Sequence, residues 1–205
     1  LQTPPFPKLK SEFCPSAYFG GYFFVFSGGQ QMGYFFHEFK NEALNKAYEL
    51  LENVTPLKFD CGTLCGSKCC KGGDGSGMLL FPGEEIFFRH RNGFTVRKDP
   101  ATGYDEVICT GKCNRSDRPL ACRIFPLFVY SVKKNGKTFS GIAPDTRARG
   151  VCPLCDCGIN YSKEFERRLR IISKIFENDS EICNFLIDLS HTITDFGAFS
   201  GTQLQ

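Results

Sequence analysis

The sequence has no tryptophan and only three histidines, His37, His90 and His191, in 205 residues. None of the three shares the spacing of an HExxH zinc helix, so each is expected as a surface or core histidine; His90 alone falls among the cysteines and is a minor ligand candidate. An excess of one charge is also lacking. The 25 Lys and Arg residues against 22 Asp and Glu leave a formal charge of +3, scattered along the chain. That balance gives no broad nucleic-acid footprint. Long apolar runs are missing too: AYFGGYFFVF is short and broken by glycine, and the opening LQTPPFPKLK has no basic start followed by an apolar core. The expectation is a protein without a membrane span, in a reducing, cytoplasmic compartment.

Phenylalanine and cysteine are abundant. A single domain over residues 1–205 is long enough to bury its own core without disulfide staples, and the 22 Phe supply apolar area that needs no hydrogen-bond partner. The 12 cysteines demand an explanation, whether a disulfide framework, a metal site or scattered buried thiols. With no sign of export, metal is favoured over disulfides. A four-thiolate site around one divalent metal carries about −2, so the mild basicity is no evidence for an anionic partner.

The fold class expected is α+β: an irregular Cys-rich, metal-organised centre with a β-hairpin, flanked by an N-terminal helix and two C-terminal helices. Residues 1–35 read as an irregular aromatic arm. Over residues 37–53, Phe39, Ala43, Leu44, Ala47, Leu50 and Leu51 fall near helical spacing. In MLLFPGEEIFF, Pro82 and Gly83 turn into a helical start with Glu84 and Glu85 in its first turn. YDEVIC and FVYSVKK alternate as strands, and Asn135-Gly136 between FVYSVKK and KTFSGI is a hairpin signal. Ser162 precedes KEFERRLRIISKIF, with Phe165, Leu169, Ile172 and Phe176 on one face. Asp179 or Ser180 caps EICNFLIDLSHTI, where Cys183 is expected as a buried thiol.

The chemistry-bearing residues lie in 58–157. Cys61, Cys65, Cys69 and Cys70 stand in FDCGTLCGSKCC, where small residues let the chain wrap so that amides can point at sulfur. Neighbouring side chains diverge, so the Cys69-Cys70 doublet reads as a fork between two sites or between a site and the core. Cys109, Cys113 and Cys122 stand in CTGKCNRSDRPLACRIFPL, expected as a stiff loop because Pro119 and Pro126 push Arg118 and Phe125 toward extended backbone. Arg118 and Arg123 bracket Cys122 and are candidate cofactor-binding groups, since a guanidinium favours a thiolate; the plainer alternative pairs them with Asp117 or another acid. In GVCPLCDCG, Cys152, Cys155 and Cys157 include a CxxC, but no helix is expected to grow from its second cysteine, which argues against a thioredoxin-like site. The run KGGDGSG lacks the Gly-Lys-Ser/Thr ending of a P-loop and is taken as a flexible turn.

FDCGTLCGSKCC, LLFPGEE and RPLACRIFPL together resemble the YkgJ-type family of zinc- or iron-chelating CxxCxxCC proteins, over about residues 58–128. The spacing after Cys61 is one residue longer than in the family pattern, and the interval from Cys109 to Cys113 is short. The resemblance implies a zinc or iron centre drawing on Cys61, Cys65, Cys69, Cys70, Cys109, Cys113, Cys122 and Cys152. The expected function is therefore metal binding, by a zinc ion or a [4Fe–4S] cluster, in a structural, redox or metal-handling role. The alternative is an iron–sulfur enzyme resembling the flagellin lysine N-methylases that use S-adenosylmethionine. The CxxxCxxC of radical S-adenosylmethionine enzymes is excluded, because Gly72 stands where its third cysteine belongs. No residue pattern indicates a protein partner.

Overall fold

The computed structural model describes Phe39, residues 41–70, Gly75, residues 77–111 and residues 113–199. The expected aromatic arm, Cys14, His37 and most of the KGGDGSG run lie outside the described residues. The chain forms helix α1 (Glu42–Leu51), the single turn α2 (Gly62–Cys65), strand β1 (Met78–Leu79) and the short helix α3 (Glu85–Phe88). Strands β2 (Phe94–Lys98) and β3 (Asp105–Cys109), helix α4 (Leu120–Ile124) and strands β4 (Leu127–Lys134) and β5 (Lys137–Pro144) follow. The turn α5 (Pro153–Asp156) and helices α6 (Lys163–Glu177) and α7 (Ser180–Phe199) complete the order.

The expectation of a mixed α and β fold holds, but the middle is more regular than its composition predicts. It carries two antiparallel sheets, one in the order β1-β3-β2 and the other the hairpin β4-β5. Strand β2, FTVRK, is the element the sequence pattern does not announce. It runs against β3 from Phe94 opposite Cys109 to Lys98 opposite Asp105, closed by a turn in which Thr102 donates to the Asp99 carboxylate. The predicted hairpin forms as expected. Asn135 at φ 53 and Gly136 at φ 72 supply the two left-handed residues of its two-residue turn.

Helix α1 covers Glu42–Leu51 of the expected 37–53, and it starts there because Asn41 accepts from the amides of Ala43 and Leu44 at 2.8 and 3.2 Å. The Asn41 amide also donates to Asp179 at 2.9 Å, tying α1 to the start of α7. Asp179 in turn accepts from the amide of Ile182, so it is the cap of α7. Ser162 precedes α6 without a side-chain cap. The apolar faces predicted for α6 and α7 are buried as predicted, with Phe165, Leu169, Ile172, Phe176, Ile182, Phe185 and Leu186 in one core with Leu44 and Leu51 of α1. Phe81 sits between Phe176 and Phe185 at ring distances of 5.3 and 5.2 Å. Each such burial contributes roughly 1.5–3 kcal/mol. A smaller cluster of Leu80, Phe88 and Val107 joins α3 to the three-stranded sheet. Among the described residues no helix is long and apolar enough to cross a membrane.

The stretch between the two prolines is not a loop throughout. Arg118 and Phe125 are extended as expected, but LACRI between them is helix α4, and Cys122 rides on it. Proline suits a helix start, where its missing N–H is one the helix does not need, and the residue before a proline resists helical backbone. Pro119 therefore opens α4, and Pro126 ends it.

Glu84 is fully buried and joins three parts of this fold. Its carboxylate accepts from the amides of Phe81 at 2.7 Å and Leu120 at 2.9 Å, and from the Tyr48 hydroxyl. Burial outweighs these donors and pushes its pKa up to about 6. Replacing Glu84 with Ala strands three buried donors at about 1–3 kcal/mol each, so a loss of ~3 kcal/mol or more is expected in denaturant unfolding. A loss under ~1 kcal/mol would contradict this role. Because the folded pKa lies above the ordinary 4.5, the stability linked to this proton is full below about pH 4.5 and is lost as pH rises through about 6. The change is ~2 kcal/mol. Glu84→Gln should remove that component from a comparison of unfolding at acid and neutral pH.

Candidate metal centre

The first cysteine segment is shaped by local backbone bonds. Asp60 accepts from the Gly62 amide at 3.0 Å through its side chain and from the Thr63 hydroxyl at 2.8 Å through its carbonyl, which starts α2. The turn ends where Gly66 and Ser67 adopt φ of 60 and 54, and the Ser67 amide returns to the Gly62 carbonyl at 3.0 Å. A side chain on Gly62 would meet the Ser67 hydroxyl at 2.6 Å and turn it aside, so the return is closest with glycine there. Ser67 is not glycine, and its left-handed conformation costs on the order of 1 kcal/mol, held by the surrounding bonds. A 3-10 turn, Lys68–Cys70, then places Cys69 exposed and Cys70 half-buried.

The second segment supplies Cys109 at the end of β3, Cys113 just beyond it and Cys122 on α4. Its path is held by arginine. Arg115 donates to the carbonyls of Leu51 at 3.0 Å, Glu52 at 3.2 Å and Val54, closing the C-terminal end of α1. Arg123 is buried, lies 4.5 Å over the Tyr48 ring and donates to the carbonyls of Arg118 at 3.0 Å and Ser116 at 2.9 Å. Asp117 pairs with Arg91, which rests on the Phe87 ring. The plainer pairing of Arg118 or Arg123 with Asp117 is therefore replaced by this one.

The two segments face each other electrostatically. Burial, then the Cys70, Cys113 and Cys109 charges, raise the Cys122 thiol well above its usual range. Cys61 is raised by burial and by the Asp60 and Cys65 charges, and Cys69 feels Cys70, Cys61 and Cys65. Seven cysteines thus share one neighbourhood, and Arg118 stands in it. Burial works against the Arg118 charge, but Cys70, Cys113 and the Asp60 carboxylate together outweigh it and raise its pKa. Arg118 hydrogen-bonds Cys113, while its Nε is buried without a partner among the described residues. Arg115 is pushed down to about 10 by burial and by the Arg123 and Arg118 charges, so positive charge accumulates beside the thiols.

The chemistry of this donor set fits a thiophilic centre: soft sulfur ligands suit zinc and iron–sulfur clusters, and buried guanidinium groups offset the negative charge that thiolates bring. Among the described residues, however, no three His, Cys, Asp or Glu side chains converge as a ready-made ion site. His90 is exposed just beyond α3. Cys152, the eighth thiol that the resemblance implies, is hydrogen-bonded to Cys155 in a small cluster with Ala148 and Leu154, which Cys61 also touches. Cys183 is buried on α7 as expected.

Sequence pattern did not single out Arg115, Tyr48 or the inward role of Glu84. The spacing of Phe81 and Glu84 carried a signal, because a side chain three residues on that accepts from a backbone amide is half of a capping box. What the fold and site define is a mixed α and β protein with a cysteine- and arginine-rich centre. No family model matches the chain, and comparisons with curated proteins and with solved structures find no match.

The Cys69-Cys70 pair gives a direct handle. The Cys69 thiol donates to Cys70, and with Arg118 this brings Cys70 down to about 6, while Cys69 is driven up. In chelator-treated protein, Cys70 should be alkylated fastest at neutral pH. Its alkylation midpoint in Cys69→Ala should move up toward the ordinary 9, because the largest favourable contact is gone. Peptide-mapped alkylation across pH 5–9, a range of about two units either side of neutral, reads this, and an unmoved midpoint would refute the pairing.

Proposed function

We propose that this chain is a metal-binding protein whose centre draws its ligands from the thiols of residues 61–70 and 109–122. The occupant is a zinc ion or a [4Fe–4S] cluster, in a structural, redox or metal-handling role, in a reducing compartment such as the cytoplasm. The observation that carries this reading is Arg118, which hydrogen-bonds Cys113 of the second segment, feels Cys70 and the Asp60 carboxylate of the first, and keeps a buried Nε without a partner among the described residues. A structural protein that needed only buried thiols would gain nothing from a cation among them, because burying a guanidinium is costly without an anion.

The resemblance of FDCGTLCGSKCC and RPLACRIFPL to the YkgJ-type pattern supports the same two segments. When bound, zinc supplies a cross-link worth on the order of 10 kcal/mol of folding free energy, and a cluster adds electron-transfer capacity. The chain's own residues do the positioning. Gly62 and Gly66 let the first segment turn back, Glu84 and Arg123 fix the start of α4 beneath Cys122, and Arg118 offsets the thiolate charge.

Purification without oxygen, followed by metal analysis and an absorption spectrum, tests the proposal. A brown protein with a broad band near ~400 nm selects the cluster, and a colourless one with stoichiometric zinc selects the ion. Cys113→Ser and Cys122→Ser should lose the metal, while Cys183→Ser keeps it. Protein with neither metal, or full retention in both of the first two variants, would overturn the proposal.

A further inference from the structure

Val129 and Ile142, paired across the β4-β5 hairpin, belong to the main core, so Phe128, Tyr130, Val132 and Lys134 alternate to the hairpin's other face. They stand opposite Ala143, Gly141, Phe139 and Lys137. Phe128 is buried at the base of this face, and Tyr130 lies across Gly141, where a Cβ would meet its hydroxyl at 2.7 Å. There the cover ends: Val132 is 39% exposed, and Phe139 directly opposite it is 50% exposed. The hairpin end beyond them is basic, with Lys133, Lys134 and Lys137 all exposed around the Asn135-Gly136 turn. Among the described residues the lysines paired with a carboxylate are Lys46, Lys98 and Lys174, and none of these three is. Both edges beside the apolar pair are engaged. The Ser190 hydroxyl of α7 accepts from the Ser131 amide at 3.2 Å, and Glu177 of α6, itself paired with Lys174, accepts from Ser140. An added strand would displace these bonds, so the face is what lies open.

We propose that this hairpin end docks the protein on an anionic lipid bilayer. Phe139 and Val132 enter the boundary between headgroups and acyl chains, and Lys133, Lys134 and Lys137 meet the anionic headgroups. Two features that folding does not explain find a use there. Like charges directly opposite each other weaken a strand pair, and an anionic surface relieves the repulsion between Lys134 and Lys137. Lysines by themselves would guard a hairpin against pairing with other chains, but a bare Phe139 and Val132 beside them undo that guard.

Charge complementarity selects an anion, and the apolar pair selects a bilayer over a nucleic acid. Bases stack on flat rings, and Val132 offers none. The charge is also confined to one hairpin end in a chain of net charge +3, where a nucleic-acid groove needs cations along its length. A bilayer needs only a small apolar wedge ringed by cations, because lysine stems lie along apolar surface while their ammonium groups reach the headgroups. Docking of this kind lies on the surface and needs no spanning helix. With one shallow wedge it is reversible, and it weakens as salt rises.

The test uses the full chain, purified without oxygen, with phosphatidylcholine vesicles that contain or lack phosphatidylserine. At low salt the wild type should sediment with the phosphatidylserine vesicles, stay in solution with the neutral ones, and be released as salt is added. Lys134→Ala should cut partitioning by about fivefold and Phe139→Ser by about tenfold. Ile86→Ser, at an exposed apolar residue of α3, should leave it unchanged. Because the sequence has no tryptophan, Phe139→Trp adds a single reporter, whose emission should shift to the blue with phosphatidylserine vesicles. The proposal fails if the wild type ignores those vesicles, if Phe139→Ser partitions like the wild type, or if the Phe139→Trp emission stays put. It fails equally if Ile86→Ser loses as much as Phe139→Ser, or if a single-stranded oligonucleotide retains the protein where vesicles do not. None of these readouts involves the thiols or a metal, so this proposal and the metal centre stand or fall separately.

Discussion

The buried carboxylate of Glu84 is the constraint on which the rest of the structure depends. A carboxylate in the interior is tolerated only when its oxygens are satisfied, and Glu84 takes donors from the turn at Phe81, from the start of α4 at Leu120 and from Tyr48 of α1. Those three points are far apart in sequence. Fixing them together fixes α4 against α1, and α4 carries both Cys122 and Arg123. Arg123 then lies over Tyr48 and holds the backbone of Ser116 and Arg118, so the loop that presents Arg118 to the thiols is anchored through the same tyrosine.

Around that anchor the charges form an alternation with a physical logic. Arg115, Arg118 and Arg123 stand near enough to oppose one another's protonation, which is unfavourable in a partly buried site. Tyr48 and Glu84 offset Arg123, the α1 carbonyls take up Arg115, and Arg118 is left to Cys70, Cys113 and the Asp60 carboxylate. The thiols show the complementary problem. Cys122 and Cys61 are raised by burial and in part by the charge of their neighbours, so they ionise more readily where cations are close. Arginine supplies part of that compensation, and a bound metal would supply the remainder.

The helical frame was legible in the sequence because it rests on periodic apolar spacing, as at Phe165, Leu169, Ile172 and Phe176, whose burial follows from their step alone. The hairpin was equally legible, since Asn135-Gly136 meets a backbone demand few other pairs satisfy. Strand β2 was not, because FTVRK is short and partly exposed, and it depends on pairing with β3 rather than on its own pattern. Helix α4 escaped for a related reason: two prolines that look like loop punctuation mark its two ends. At the candidate site the cysteines and Arg118 were visible as residue types. Their arrangement was not, because the approach of Cys70 and Cys113 to Cys122, and of Cys61 to the cluster around Cys152, is a product of tertiary contact. Adjacent Cys69 and Cys70 turn out to share a hydrogen bond rather than to part company.

In the proposed centre, sulfur from two distant segments would form the whole first coordination sphere of a bound metal, with arginine outside it. X-ray absorption at the metal edge of the protein as purified without oxygen measures that sphere directly. Sulfur alone is expected, at about 2.3 Å for zinc or at a comparable distance with a short iron–iron shell for a cluster. A sphere dominated by nitrogen and oxygen would contradict it.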